Sequence, residues 1–230
     1  NKIINLDLFS QNFFAQLYIR DKKLFVNQYK AYINKVCDIL KIIGININTV
    51  PVLDVRRKKS HNNIGSRSFS ENSSVVSTLG KLCIAIYEEN RIGTVMKHIP
   101  GLGLSKCDSH YKKPTIRANK KELIKKDFKP FKVCKSLFAM TAHAVYTKYD
   151  PYNTATHSKV MISKVMRKQM NFKGLLISDD ICMKSLKYSL EENALKALRA
   201  GCNLVLHCNG NIREMSKLIK VIPKIDKFTQ

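Results

Sequence analysis

Five aliphatic or β-branched runs alternate along this chain with segments of helical period, and polar side chains gather where the runs end. The runs cover residues 45–52, 94–98, 137–143, 174–179 and 203–208. Between them, residues 28–43, 73–91, 119–129, 158–170, 190–200 and 212–222 carry the period of amphipathic helices. Gly44 and Gly201 stop two of these helices, and Pro130 is expected to end a third. Such an alternation implies parallel strands joined by right-handed helical crossovers. Asp54, Lys97, His98, His143, Asp179 and His207 then all fall at or just past strand C-termini. A β/α barrel builds its active face there, and an open doubly wound sheet gathers the same ends at one edge. Periodicity alone does not separate the two. Neither a phosphate loop nor a G-x-G-x-x-G turn follows a strand, so nucleotide chemistry has little support.

At 230 residues, 44% of them hydrophobic, the chain suits one α/β domain spanning residues 1–230. Its formal net charge of +24 raises nucleic-acid binding as a question. The excess, however, is lysine scattered between apolar residues, as in Lys22-Lys23-Leu24, with no tryptophan and no arginine stripe. A solvated lysine-rich surface is the reading this pattern favours, with no specific nucleic acid as partner. Seven cysteines without C-x-x-C spacing argue for a reducing compartment and against a disulfide framework or a zinc site. No apolar run reaches membrane-spanning length, and no signal peptide opens the chain.

Three segments carry groups suited to chemistry. Lys97-His98-Ile99-Pro100-Gly101-Leu102-Gly103 takes a strand into a Gly/Pro loop, and a lysine at a strand tip needs an anion or hydroxyl acceptors. It could equally pair with a core acid such as Asp54. Asp108-Ser109-His110 places a carboxylate and an imidazole on one side if extended, a pair suited to general acid/base work; a turn aspartate beside an exposed histidine is the plainer alternative. Leu175 to Asp180 is an apolar strand running into two carboxylates that point to opposite faces, so one of them enters a pocket. Either could instead cap the helix that follows. Arg67 lies in the long loop after Asp54 and can clamp a substrate oxygen, whereas His143 reads as a packed histidine.

Together these motifs resemble glycoside hydrolase family 3, in its β-N-acetylglucosaminidase branch of bacterial murein recycling. The family's Lys-His-Phe-Pro-Gly-His-Gly, then Asp-Ser-His, is similar to Lys97 through Gly103 followed by Asp108-Ser109-His110. Its Ala-Pro-Val-Leu-Asp, Ile-Gly-x-Arg-Ser-Phe, Met-Thr-Ala-His and Phe-Ser-Asp-Asp-Leu-x-Met are matched in order. They fall at Val50 to Asp54, Ile64 to Phe69, Met140 to His143 and Ile177 to Met183. Its Ala-Gly-Cys-Asp, apolar run and Cys-Asn resemble Ala200 through Asn209. The resemblance implies a TIM-like (β/α)8 barrel and a retaining glycosidase without metal or organic cofactor. By the same resemblance, Asp179 is the nucleophile and His110, oriented by Asp108, the acid/base. Arg67, Lys97 and His98 would hold a terminal β-linked N-acetylglucosamine of a muropeptide, and the protein would be a cytoplasmic monomer.

Two departures qualify this. Leu102 stands where the family has a second histidine, an exchange expected to loosen the loop's polar network. The family's earlier strand, ending in Asp-Gln-Glu-Gly-Gly-Arg-Val, has no counterpart, so the barrel is expected to lack its first strands and to expose sheet edges. A truncated, catalytically silent remnant that binds amino sugars or a protein partner is the alternative function.

Overall fold

The computed structural model describes residues 9–57, 64–107 and 113–230. Its centre is a five-stranded sheet, every pair parallel. The strands are β1 (Ile47–Asn48), β2 (Gly93–Ile99), β4 (Phe138–Thr141), β7 (Leu175–Asp180) and β8 (Leu204–Leu206), and their spatial order follows the chain. Parallel neighbours in chain order, with helices between them, are the wall of a β/α barrel, here an incomplete one. A second sheet of β3 (Thr115–Ile116), β5 (Val145–Tyr146) and β6 (Asp150–Thr154) sits among the loops and was not foreseen from the sequence.

The helices are α1 (Gln11–Arg20), α2 (Lys22–Ile42), α3 (Ser73–Glu89), α4 (Lys120–Glu122), α5 (Lys129–Val133), α6 (Leu190–Ala200) and α7 (Ile212–Val221). Most start on a polar cap. Asp21, Asn72, Asn119, Ser189 and Asn211 each accept an amide of the first turn, satisfying donors the helix itself leaves open. Gly201 closes α6 with φ +116°, a conformation that glycine adopts without a Cβ penalty. Wider five-residue turns cover Leu123–Asp127 and Met161–Gln169.

Three expectations need correction. Residues 45–52 form only the two-residue β1 and an isolated bridge from Val52 to Lys97, because Pro51 has no amide to give the ladder. Pro130 opens α5 instead of ending a helix, since the first turn needs no amide at that position. The helix read from residue 28 begins at Lys22, capped by Asp21, and α1 precedes it.

The larger of two apolar clusters fills the space between sheet and helices, with Phe25, Phe69, Leu79, Met96, Ile99, Phe131 and Leu176 fully buried. The edge beside Val52 is partly covered: the Gln11 side chain donates to the Val52 carbonyl and accepts its amide at 2.9 and 3.0 Å. A side-chain amide thus does there what a neighbouring strand would do. Ile45 and Ile47 near β1, and Ile212, Met215 and Ile219 on α7, remain exposed.

Candidate active site

The C-terminal ends of the strands enclose a pocket of about 410 Å³, lined by Thr49, Arg67, Lys97, His98, Leu102, Asp179 and Cys208 among others. Four of the residues singled out from the sequence, Arg67, Lys97, His98 and Asp179, therefore converge. The other two, Asp108 and His110, lie outside the described residues.

The floor is built on Asp54. This carboxylate is fully buried and accepts the His98 Nδ1 hydrogen at 2.7 Å, the Leu102 amide at 2.6 Å and the His98 amide at 3.3 Å. A carboxylate buried among donors fixes whatever it holds. With Nδ1 committed, His98 turns Nε2 toward the pocket, where it lies 3.9 Å from Oδ2 of Asp179. The sequence offers a core acid such as Asp54 as a partner for Lys97. The structure assigns that pairing to His98 and extends it to the loop through Leu102. Lys97 instead donates to Thr49 Oγ1 at 3.1 Å.

With leucine at this position the residue's amide is anchored on Asp54. Its side chain is buried at the pocket wall. Gly103 is held by close approach, because a Cβ there would fall inside the Val55 carbonyl.

The carboxylate pair at the end of β7 divides its labour. Asp179 faces the pocket, half-buried, with its Oδ1 accepting the Asp180 amide at 2.8 Å. Asp180 turns away, and its Oδ1 accepts the amides of Cys182 at 3.1 Å and Cys208 at 3.3 Å. The capping reading thus belongs to Asp180, applied to loop amides, and the pocket reading to Asp179.

Charge follows the same geometry. Burial pushes the Asp179 pKa up, but His98, His143, the Asp180 amide and Lys97 outweigh it, and the carboxyl titrates below its ordinary value. Burial and the neighbouring Arg67 bring Lys97 down to about 8, against the opposing pull of Asp179 and Asp54. His143 is fully buried between Thr156 Oγ1 at 2.7 Å and the Asp180 carbonyl at 3.0 Å. Burial lowers its pKa, and it is packed as the sequence suggested. It supports the strand end from behind.

Asp179 is the sole carboxylate among the described residues lining the pocket. An ionised carboxylate, an oriented imidazole, a lysine and a rim arginine suit a polyhydroxylated neutral ligand and a nucleophilic attack. Cys37, Cys83, Cys134, Cys182, Cys202 and Cys208 are free thiols. Among the described residues, no helix is long and apolar enough to cross a membrane.

Residues 26–229 match the glycosyl hydrolase family 3 N-terminal domain. A β-hexosaminidase of Nitrosomonas eutropha is 34% identical over 175 residues, 74% of this chain and 50% of that protein. NagZ of Neisseria gonorrhoeae, solved with N-trifluoroacetyl-D-glucosamine, superposes with a TM-score of 0.84 at 25% identity, covering 96% of this chain and 64% of that one. A family 3 β-N-acetylglucosaminidase from Paenibacillus gives 0.75 at 26% identity, over 79% of this chain and 36% of that one. The chain spans about half the length of the curated relatives it matches.

Proposed function

The chain belongs to glycosyl hydrolase family 3, and on that premise we propose that it is a retaining β-N-acetylglucosaminidase acting on terminal, non-reducing residues of peptidoglycan fragments. The observation that carries the reading is the ionised Asp179 at the end of β7, faced by His98 and Lys97 in a pocket of sugar size.

In the first step an Asp179 oxygen attacks the anomeric carbon as the glycosidic C–O bond breaks, and His110 gives its proton to the departing oxygen. In the second, water attacks the glycosyl-enzyme. His110 takes the water's proton, the new C–O bond forms at the sugar, and Asp179 leaves as carboxylate. Retaining glycosidases commonly use two carboxylates for these roles. An imidazole oriented by Asp108 fills the second role with a pKa suited to both directions of transfer. The cationic neighbours that keep Asp179 ionised also make it a competent leaving group in the second step. Arg67, Lys97 and His98 hold the sugar hydroxyls, and the amino-sugar analogue bound to the gonococcal relative supports that choice of ring. The free thiols support a reducing compartment, the cytoplasm.

The test is release of nitrophenol from the β-N-acetylglucosaminide, with Asp179→Ala as control. Turnover that the substitution removes supports the proposal. A folded chain without turnover on this substrate or on a muropeptide would favour a binding remnant.

A further inference from the structure

Three side chains far apart in sequence meet behind the pocket wall: Cys182 in the turn after β7, His207 just past β8 and Glu214 in the first turn of α7. One ligand atom from each, a sulfur, a ring nitrogen and a carboxylate oxygen, lies within 4.8 Å of the other two. His207 Nε2 is 2.9 Å from Glu214 Oε2, and the histidine side chain is 8% exposed. Its Nδ1 is buried with no hydrogen-bond partner. The Asn209 amide nitrogen lies between the others, 2.6 Å from Glu214 Oε2 and 3.6 Å from Cys182 Sγ.

We propose that Cys182, His207 and Glu214 bind one divalent zinc-class ion, which braces the two loops on either side of Asp180. One thiolate, one imidazole and one carboxylate form a borderline donor set that suits zinc or cobalt and does not suit magnesium or calcium. Three protein ligands leave a fourth tetrahedral position for water. Tetrahedral zinc holds its ligand atoms roughly 3.5 Å apart. Closing from the present spacing therefore needs rotation of Glu214 and displacement of the Asn209 amide. Glu214 is half-exposed and Asn209 is exposed, so both have room to move. Spacing motifs do not reveal this set, because strand ends and a helix start assemble it. The lack of a C-x-x-C motif excludes only zinc sites made from one local segment.

The consequence is mechanical. Asp180 already ties the Cys182 and Cys208 amides together, and Cys208 lines the pocket. An ion across the same two loops would stiffen the wall beside Asp179 without touching the reacting atoms. The proposal does not rest on the glycosidase reading.

The test is titration of the whole chain with zinc in competition with a chromophoric chelator, and with cobalt followed in the near ultraviolet for thiolate charge transfer. One ion per chain, a cobalt–thiolate band and a higher melting temperature with zinc are expected. Cys182→Ser should remove the band, and Glu214→Gln, on a half-exposed helical position, should weaken binding at least tenfold. Cys208→Ser and Asp179→Asn should leave both unchanged. No stoichiometric binding, a band that survives Cys182→Ser, or binding lost in Asp179→Asn would each overturn the site, the last by placing the ion in the pocket.

Discussion

His98 Nδ1 lies 2.7 Å from the buried Asp54 carboxylate, and the same imidazole presents Nε2 3.9 Å from Asp179. One buried acid therefore sets the tautomer and the angle of the ring that faces the proposed nucleophile. The same acid holds the Leu102 amide, so ring and loop are positioned together.

Asp54→Asn replaces an acceptor-only group by one that must present an NH₂ to donors. The buried network loses charge-assisted bonds, at a cost of about 2–4 kcal/mol. At roughly 2–4 °C per kcal/mol for a chain of this size, the melting temperature should drop by about 4–16 °C. In the fraction that stays folded, KM for the nitrophenyl glycoside should rise more than kcat falls, because Asp54 orients the His98 ring that the proposed function sets against the sugar. An unchanged KM beside a lowered melting temperature would assign Asp54 to stability alone.

Lys97 links pH to both stability and binding. Its folded pKa of about 8 lies below its ordinary value of 10.5, with burial as the main cause. Between those values the unfolded chain holds more protons than the folded one, so stability rises with pH across that window. Below about pH 8 the cost of burying the charge is fully present. Lys97→Met should therefore stabilise the chain at pH 7 by about 1–2 kcal/mol, after allowance for solvent screening, and should flatten this alkaline rise. Binding runs the other way. The alkaline limb of kcat/KM should fall through pH 8 in the wild type. Thermal melts and rates measured from pH 6 to pH 10 separate the two effects.

Gly103 tests the packing of the loop against the strand tip. Any Cβ collides with the Val55 carbonyl, backbone that cannot swing aside as a side chain can. Gly103→Ala should cost about 1–3 kcal/mol, as overpacked sites do, and should lower activity by displacing Leu102 and the Lys97-His98 tip. A wild-type melting curve for this variant would show that the loop stands further from Val55 than described.

Much of this architecture is legible in the sequence, for identifiable reasons. Leu175 to Asp180 and Thr94 to His98 read as buried strands because continuous apolar runs end abruptly in charge. The helix closed by Gly201 reads cleanly because amphipathic period and stop signal agree. Residues 45–52 mislead because β-branched composition hides the amide that Pro51 lacks. Pro130 misleads because proline ends one helix and opens another with equal ease. In the site, Arg67, Lys97, His98 and Asp179 are found by motif, and so is Asp54, but not its role as the anchor of ring and loop. Its several donors come from backbone and ring positions that no side-chain pattern records. Cys182, His207 and Glu214 escape for the same reason, since their proximity is created by sheet order.

The two carboxylates at the end of β7 give the sharpest separation of chemistry from scaffold. Adjacent on an extended strand, they face opposite ways, and their partners differ in kind. Asp179 faces His98 and Lys97 across the pocket, so its removal takes away the proposed nucleophile and little packing. Asp179→Ala should abolish turnover and shift the melting temperature by only a few degrees. The support its cationic neighbours give is present above its ordinary pKa of 3.8 and is lost as pH falls through the lower folded value. At neutral pH the alanine variant loses that support, while its cationic neighbours lose a counter-charge. Asp180 has two loop amides as partners. Asp180→Ala leaves both without an acceptor, at about 1–3 kcal/mol each where water cannot reach them, so this variant should melt early yet keep measurable turnover. The pair is decisive when measured side by side. If Asp180→Ala silences the enzyme at full stability while Asp179→Ala turns over, the nucleophile has been assigned to the wrong face of the strand.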